Sequence, residues 1–147
     1  MKNKAIVIDI DGVILNTEDI LKEILRQKLK GDEMWEYFYE NCNSPRIPLM
    51  KNIIQFLDCL NPSIYIVLST ARNERCRKGT EAKLKDENFP YDILYMRNQE
   101  DLRPSPEIKK DHINHIKKNF EIIAFIDDDL SNCQMAKQEG LLALRKV

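Results

Sequence analysis

Asp9 and Asp11 stand two residues apart at the end of the apolar run Ala5-Ile6-Val7-Ile8, with Gly12 directly after them. Carboxylates this close repel one another and call for a cation or a shared proton. Two other apolar runs end in polar clusters. Ile64–Leu68 leads into Ser69-Thr70-Ala71-Arg72-Asn73, and Ile122–Ile126 leads into Asp127-Asp128-Asp129. Lys109 and Lys110 precede the last of these runs. Gathered in one place, such an acidic set is unfavourable without a hard cation, and Mg²⁺ prefers carboxylate oxygen and water. The residue types suit phosphoryl transfer. One aspartate can attack phosphorus, and a second can protonate the leaving oxygen and then activate water. A threonine hydroxyl and a lysine can hold phosphoryl oxygens while Mg²⁺ offsets the developing charge.

These side chains converge only if the runs are neighbouring strands ending at one edge. Residues 5–9 are too short for a helix and rich in β-branched side chains, which predicts a buried strand. Further strands are expected at 64–68, 91–96, 121–126 and 141–144. Helices are expected from Pro48 to Asn61, over 74–87, from Ser105 as N-cap to about Lys118, and over 130–139, with Gly140 as the stop. This alternation predicts an α/β, Rossmann-like three-layer sandwich with a mainly parallel sheet and right-handed crossovers. In such sheets ligands bind beyond the carboxyl ends of the strands. Between the first strand and Pro48, Ile20, Ile24, Leu25 and Leu29 recur at helical spacing, and 32–40 reads as a second short helix. Residues 16–45 are therefore expected as a small helical cap insertion over the strand ends, within a single domain spanning 1–147. Trp35, Phe38 and Tyr39 are expected to pack on the preceding helix.

The chain has 147 residues, 43% of them apolar and 32% charged, as in a folded globular domain. A net charge of -1 supplies no global basic field for nucleic acid, although local patches can still bind it. No apolar run reaches the length of a membrane span. Met1-Lys2-Asn3-Lys4 leads straight into the first strand with no room for a signal peptide, so a cytoplasmic location is expected. Cys42, Cys59, Cys76 and Cys133 form no Cys-x-x-Cys pair and are expected as reduced thiols. With no Gly-x-x-x-x-Gly-Lys-Ser/Thr stretch, the chain holds no P-loop kinase of its own.

The ordered set Asp9-Ile10-Asp11-Gly12, Thr70, Lys109 and Asp127-Asp128 resembles the haloacid dehalogenase (HAD) superfamily across nearly the whole chain. Within it, Leu94–Arg97, Asp101–Pro104, Glu107–Lys109 and Phe125–Asp129 resemble the 3′-phosphatase domain of phage-type polynucleotide kinases. The resemblance implies a Mg²⁺-dependent phosphomonoesterase with Asp9 as nucleophile and Asp11 as general acid/base. Thr70 and Lys109 would orient phosphate. Asp127 and Asp128 would bind the metal with Asp9 and the backbone carbonyl of Asp11. Arg72, Arg97 and Arg103 would contact substrate. Two positions depart from the pattern. Ser105 stands where an acidic residue usually orients the lysine, so that partner is either missing or replaced by Glu107, and Val13 stands where threonine is common.

Plainer readings compete at several positions. Lys110 is the alternative to Lys109. Asp129 reads as a helix cap. His112 and His115, three apart on a helix without a third nitrogen or sulfur ligand, are expected on a solvated face. Arg72, Arg75, Arg77 and Lys78 read as a solvated helix face or as a patch for substrate phosphate. The expected partner is a phosphorylated substrate, with a nucleotide or nucleic-acid end open, no membrane, and the oligomeric state undetermined. The alternatives to a polynucleotide 3′-phosphatase are a 5′-nucleotidase or small-metabolite phosphatase of the same superfamily, and a non-catalytic module on the same fold.

Overall fold

A computed structural model describes residues 1–147. Its sheet has five strands, β1 (Asn3–Ile8), β2 (Tyr65–Asn73), β3 (Ile93–Arg97), β4 (Phe120–Asp127) and β5 (Ala143–Arg145). All pairings are parallel, in the order β3-β2-β1-β4-β5. The chain builds outward from β1 through β2 to β3, then crosses back to place β4 on the other side of β1. The order therefore reverses between β1 and β4, and a crevice opens beyond their carboxyl ends.

Six helices accompany the sheet: α1 (Glu18–Gln27), α2 (Gly31–Asn41), α3 (Lys51–Asp58), α4 (Arg77–Asp86), α5 (Ser105–Ile116) and α6 (Leu130–Gln138). Strand alternation sorts the core into two layers. Ile6 and Ile8 of β1 face a cluster with Ile20 and Ile24 of α1, Phe38 of α2, Ile53 and Leu57 of α3 and Leu84 of α4. Ala5 and Val7 face the other way, onto Ile113 and Ile116 of α5 and Met135 and Ala136 of α6. A fully buried isoleucine or leucine contributes about 1.5–3 kcal/mol, so this two-sided burial of β1 anchors the strand that carries Asp9. No helix is long and apolar enough to cross a membrane.

Some details differ from the sequence expectations. Strand β2 runs on to Asn73 instead of ending near Leu68. Ser69 pairs with Tyr95 and Asn73 with Arg97, so four steps on β2 match two on β3. Thr70 and Arg72 lie in this irregular stretch, between the paired residues Ser69 and Asn73, and line the cleft. Pro104, not Ser105, is the N-cap of α5, and it supplies no side-chain cap bond. His112 is buried instead of solvated, because α5 presses that face onto β2 and β3.

Candidate active site

The loop after β1 is shaped by backbone hydrogen bonds. The N–H groups of Val13, Ile14 and Leu15 donate to the Ile10 carbonyl, and Gly12 N–H donates to Leu15. Gly12 adopts φ +79°, which favours glycine. A Cβ there would come 2.1 Å from Asp128 Oδ2, so the missing side chain also lets Asp128 approach Asp9. Asp9 N–H donates to Ile126 across the crevice (2.9 Å), which fixes the end of β1 against β4.

Lys109 organises the centre. It is 1% exposed, and Nζ lies 2.8 Å from Asp9 Oδ1 and 2.5 Å from Asp127 Oδ2. Burial alone would push this ammonium down, but Asp9 and Asp127 outweigh it and hold it above the usual lysine range. An ammonium has three N–H donors, so one is left for a third acceptor. Burial pushes the Asp9 carboxyl well up, with Asp127 and Asp11 adding to this against the pull of Lys109. Burial and Asp127 raise Asp128 likewise. The carboxylate oxygens of Asp9, Asp127 and Asp128 lie within 4.8 Å of one another.

The Asp11 side chain is held separately. Arg72 Nε donates to its Oδ2 (2.9 Å) and Nη2 to its Oδ1 (2.6 Å). Arg72 Nη1 donates to Asn43 and Thr80, and Nη2 also donates to the Cys42 carbonyl. The guanidinium is buried and engaged by protein acceptors, with Asp11 taking two of its N–H groups. The Asp11 side chain accordingly lies outside the acidic trio, which leaves only its backbone carbonyl for an ion.

Thr70 is buried beside the carboxylates, and its Oγ1 accepts the Arg72 N–H (3.1 Å). Asp127 Oδ1 accepts the Asp129 N–H, and its Oδ2 accepts Asn132 Nδ2 (3.2 Å). Asp129 caps α6 by accepting the N–H groups of Ser131 and Asn132. The buried Oδ1 of Asn132 has no partner. Lys110 pairs with Glu139 at the surface. Glu107 makes no ion pair, so Lys109 is oriented by Asp9 and Asp127 instead of by a carboxylate on its own helix turn.

The other two arginines expected at substrate make contacts around the β3–α5 loop, reaching β2 and α5. Arg97 donates to the carbonyls of Ala71, Asp101 and Arg103. Arg103 pairs with Asp101 and Asp111 and lines a different cleft. In the basic run, Arg77 is engaged by Glu74 and Glu81. His112 lines the same second cleft and is held at both ring nitrogens. Its Nε2–H donates to the Met96 carbonyl, which can only accept, so Nδ1 receives the Ser69 hydroxyl (2.8 Å).

The site opens into a cleft of about 760 Å³ that includes Asp9, Asp11, Thr70, Lys109, Ser105 and the three aspartates at the end of β4, Asp127, Asp128 and Asp129. Among the lining residues that sequence reasoning missed, Asn132, Arg145, Trp35 and Tyr39 bear most on the chemistry. Asn132 lies in the first turn of the helix after Asp127. Arg145, at the end of β5, donates Nε to the Asp128 carbonyl (3.1 Å). Trp35 and Tyr39 reach in from α2. The i,i+4 spacing of Trp35 and Tyr39 was the available signal. Phe38 does pack into the core as expected, whereas Trp35 remains 49% exposed.

A parallel α/β sheet that joins a buried aspartate, a buried lysine and a second acidic pair at its switch point defines a phosphatase of the HAD class. The profile of the HAD superfamily, subfamily IIIB (acid phosphatase), matches residues 1–145, and the chain belongs to that family. The fold is shared with a chain of the Pnkp1/Rnl/Hen1 RNA repair complex at TM-score 0.78 and 20% identity, over 99% of this chain and 42% of that one. A class C acid phosphatase from Bacillus anthracis, solved with tungstate bound, superposes at TM-score 0.69 and 13% identity, over 99% of this chain and 67% of that one. The haloacid dehalogenase-like protein SP0104 from Streptococcus pneumoniae gives 0.66 and 16%, over 96% and 83%. This chain spans less than half the length of the repair-complex chain. No curated protein matches it in sequence.

Proposed function

We propose that the chain is a Mg²⁺-dependent phosphomonoesterase that works through an aspartyl-phosphate on Asp9 and acts on polynucleotide 3′-phosphate ends. The observation that carries the chemistry is the buried Lys109 ammonium joining Asp9 to Asp127. It aims an oxygen nucleophile while leaving an N–H for a phosphoryl oxygen. Asp9 attacks phosphorus, and the leaving alkoxide takes a proton from Asp11. Asp11 then removes a proton from the water that cleaves the acyl phosphate. Both Asp11 oxygens are taken by Arg72, so proton exchange requires one side of that grip to open. Thr70 Oγ1 and Lys109 Nζ stabilise the charge spread over the phosphoryl oxygens.

The residues fit Mg²⁺. They are hard carboxylate oxygens in a tight group, Gly12 leaves room for Asp128, and the orphan Oδ1 of Asn132 can accept from a water of hydration. Asp9, Asp127, Asp128 and the Asp11 carbonyl would hold the ion. Bound there, it would neutralise charge on the phosphoryl oxygens and offset the burial and carboxylate repulsion that push Asp9 up.

Helices α1 and α2 serve as a cap. Leu21, Trp35, Phe38 and Tyr39 from this pair line one wall of the cleft. Only two short helices flank the opening, which supports a macromolecular end as substrate. The motif resemblance and the fold shared with a chain of an RNA repair complex support the same reading. Four free thiols support a reducing, cytoplasmic setting.

The test is phosphate release with and without Mg²⁺ from 3′-phosphorylated oligonucleotides, nucleoside 5′-monophosphates and an aryl phosphate. Preferred turnover of the oligonucleotide, lost in Asp9→Asn, is expected. Preference for free nucleotides would replace the polynucleotide reading with a 5′-nucleotidase, and no release from any substrate would remove the enzymatic reading of the site.

A further inference from the structure

Trp35 and Tyr39 line the cleft of the catalytic carboxylates and form a ladder with Arg75. The Trp35 and Tyr39 rings stack with centroids 6.0 Å apart and an interplanar angle of 24°. The Arg75 guanidinium lies over the Tyr39 ring at 4.8 Å. The ladder is fixed from behind. Phe38 meets both rings edge-on from the core, and the Tyr39 hydroxyl accepts the Asn73 N–H at the end of β2. Arg75 is exposed and has no carboxylate partner, unlike Arg72 and Arg77 in the same basic run.

An aromatic face left half open inside a cleft lined by five aspartates needs an explanation. Five carboxylates repel a polyanion, and Lys109 and Arg72 are already occupied by protein carboxylates. Planar rings bind any base by its π-face, and a guanidinium beyond them can take a backbone phosphate. Tyr39 is covered by Trp35 and Arg75, so the outer face of Trp35 is left for a base and the far end of the ladder offers a cation for a phosphate of the same strand. We propose that Trp35, Tyr39 and Arg75 are a binding rail for the single-stranded nucleic acid adjoining the terminal phosphate, with the last base on Trp35 and an upstream phosphate on Arg75. This rests on the polynucleotide reading of the active site and assigns the residues that would select a strand over a free nucleotide.

Trp35 is the only tryptophan, so its fluorescence reports directly on the rail. The full chain carrying Asp9→Asn, which prevents turnover, is titrated with Mg²⁺ present. The ligands are 3′-phosphorylated oligothymidylate, its oligouridylate counterpart, thymidine 3′-monophosphate and inorganic phosphate. The oligonucleotides should quench Trp35 and bind at least about tenfold tighter than the mononucleotide, and inorganic phosphate should leave the emission unchanged. Adding Arg75→Ala should weaken oligonucleotide binding about fivefold and reduce its salt slope by about 0.7, the share of one phosphate contact. Equal affinity for oligonucleotide and mononucleotide, or no effect of Arg75→Ala, overturns the rail. Oligouridylate against oligothymidylate tells whether RNA or DNA is preferred. If wild type hydrolyses the oligonucleotide while Trp35 emission stays constant, the rail fails and the catalytic reading stands. If quenching occurs but no substrate is hydrolysed, the catalytic reading fails and the rail stands.

Discussion

Arg72 grips both carboxylate oxygens of Asp11, at 2.9 and 2.6 Å, from a buried position it shares with Asn43, Thr80 and the Cys42 carbonyl. The proposed proton carrier is thus tied to the end of the cap segment and to α4. Burial would lower the guanidinium, and Asp11 outweighs this to hold it above its ordinary range, so Arg72 keeps its charge at any working pH. Arg72→Lys keeps the charge and loses the planar fork. The expected result is a fall in kcat of about 10²-fold or more with a smaller change in KM, as for a misplaced general acid. Arg72→Ala should also cost about 3 kcal/mol of stability, read by urea unfolding, because it leaves the Asp11 carboxylate unpaired.

Gly12 controls whether Asp128 reaches its neighbours. In Gly12→Ala the new Cβ would sit 2.1 Å from Asp128 Oδ2 at φ +79°. The backbone cost is about 1–2 kcal/mol, which a core of this size tolerates. Mg²⁺ affinity should fall sharply, by about 10- to 100-fold, as for loss of a supporting group around a metal. Calorimetric titration measures it. An unchanged affinity would remove Asp128 from the ion site.

The acidic trio should make the metal-free protein less stable than it could be. Asp128→Asn removes one of the repelling charges, and its melting temperature without Mg²⁺ should exceed that of wild type. Wild type should gain about 2.7 kcal/mol at a Mg²⁺ concentration of 100 Kd, whereas the variant should gain much less at the same concentration. Thermal scans with chelator and with Mg²⁺ separate the two effects.

His112 predicts an acid limb in stability. Burial lowers its pKa from 6.5 to about 4, against the hydrogen bond it makes to the Met96 carbonyl. Between those values the unfolded chain binds the proton and the folded chain does not, so stability falls as pH drops from 6.5 towards 4. The drop amounts to about 3 kcal/mol across the window. His112→Gln can still donate to Met96, and it should flatten that part of the stability–pH curve measured by denaturant unfolding. A curve of unchanged shape in the variant would assign the acid limb to other groups.

The sequence by itself determined the strand–helix alternation and the polar ends of three strands. Apolar runs such as Ala5–Ile8 and Ile122–Ile126 encode two-sided burial, and parallel strands put their carboxyl ends on one edge. Asp9, Thr70 and Asp127 therefore had to converge. Lys109 was separable from Lys110 only through its motif spacing; in the fold it is the lysine on the inward face of α5, while Lys110 meets Glu139 at the surface. What only the tertiary structure decided is who holds whom. Arg72 turns to Asp11 because β2 continues past Leu68 with a register shift, which local propensity does not report. His112 is buried because α5 lies on β2 and β3, a packing choice absent from a solvated-looking Lys-Lys-Asp-His stretch. Trp35 faces the cleft because Phe38, three residues on, takes the core position, so one turn of α2 divides its aromatics between core and site. Pairings across 61 residues, such as Asp11 with Arg72, follow from the way the layers stack, and no local pattern contains them.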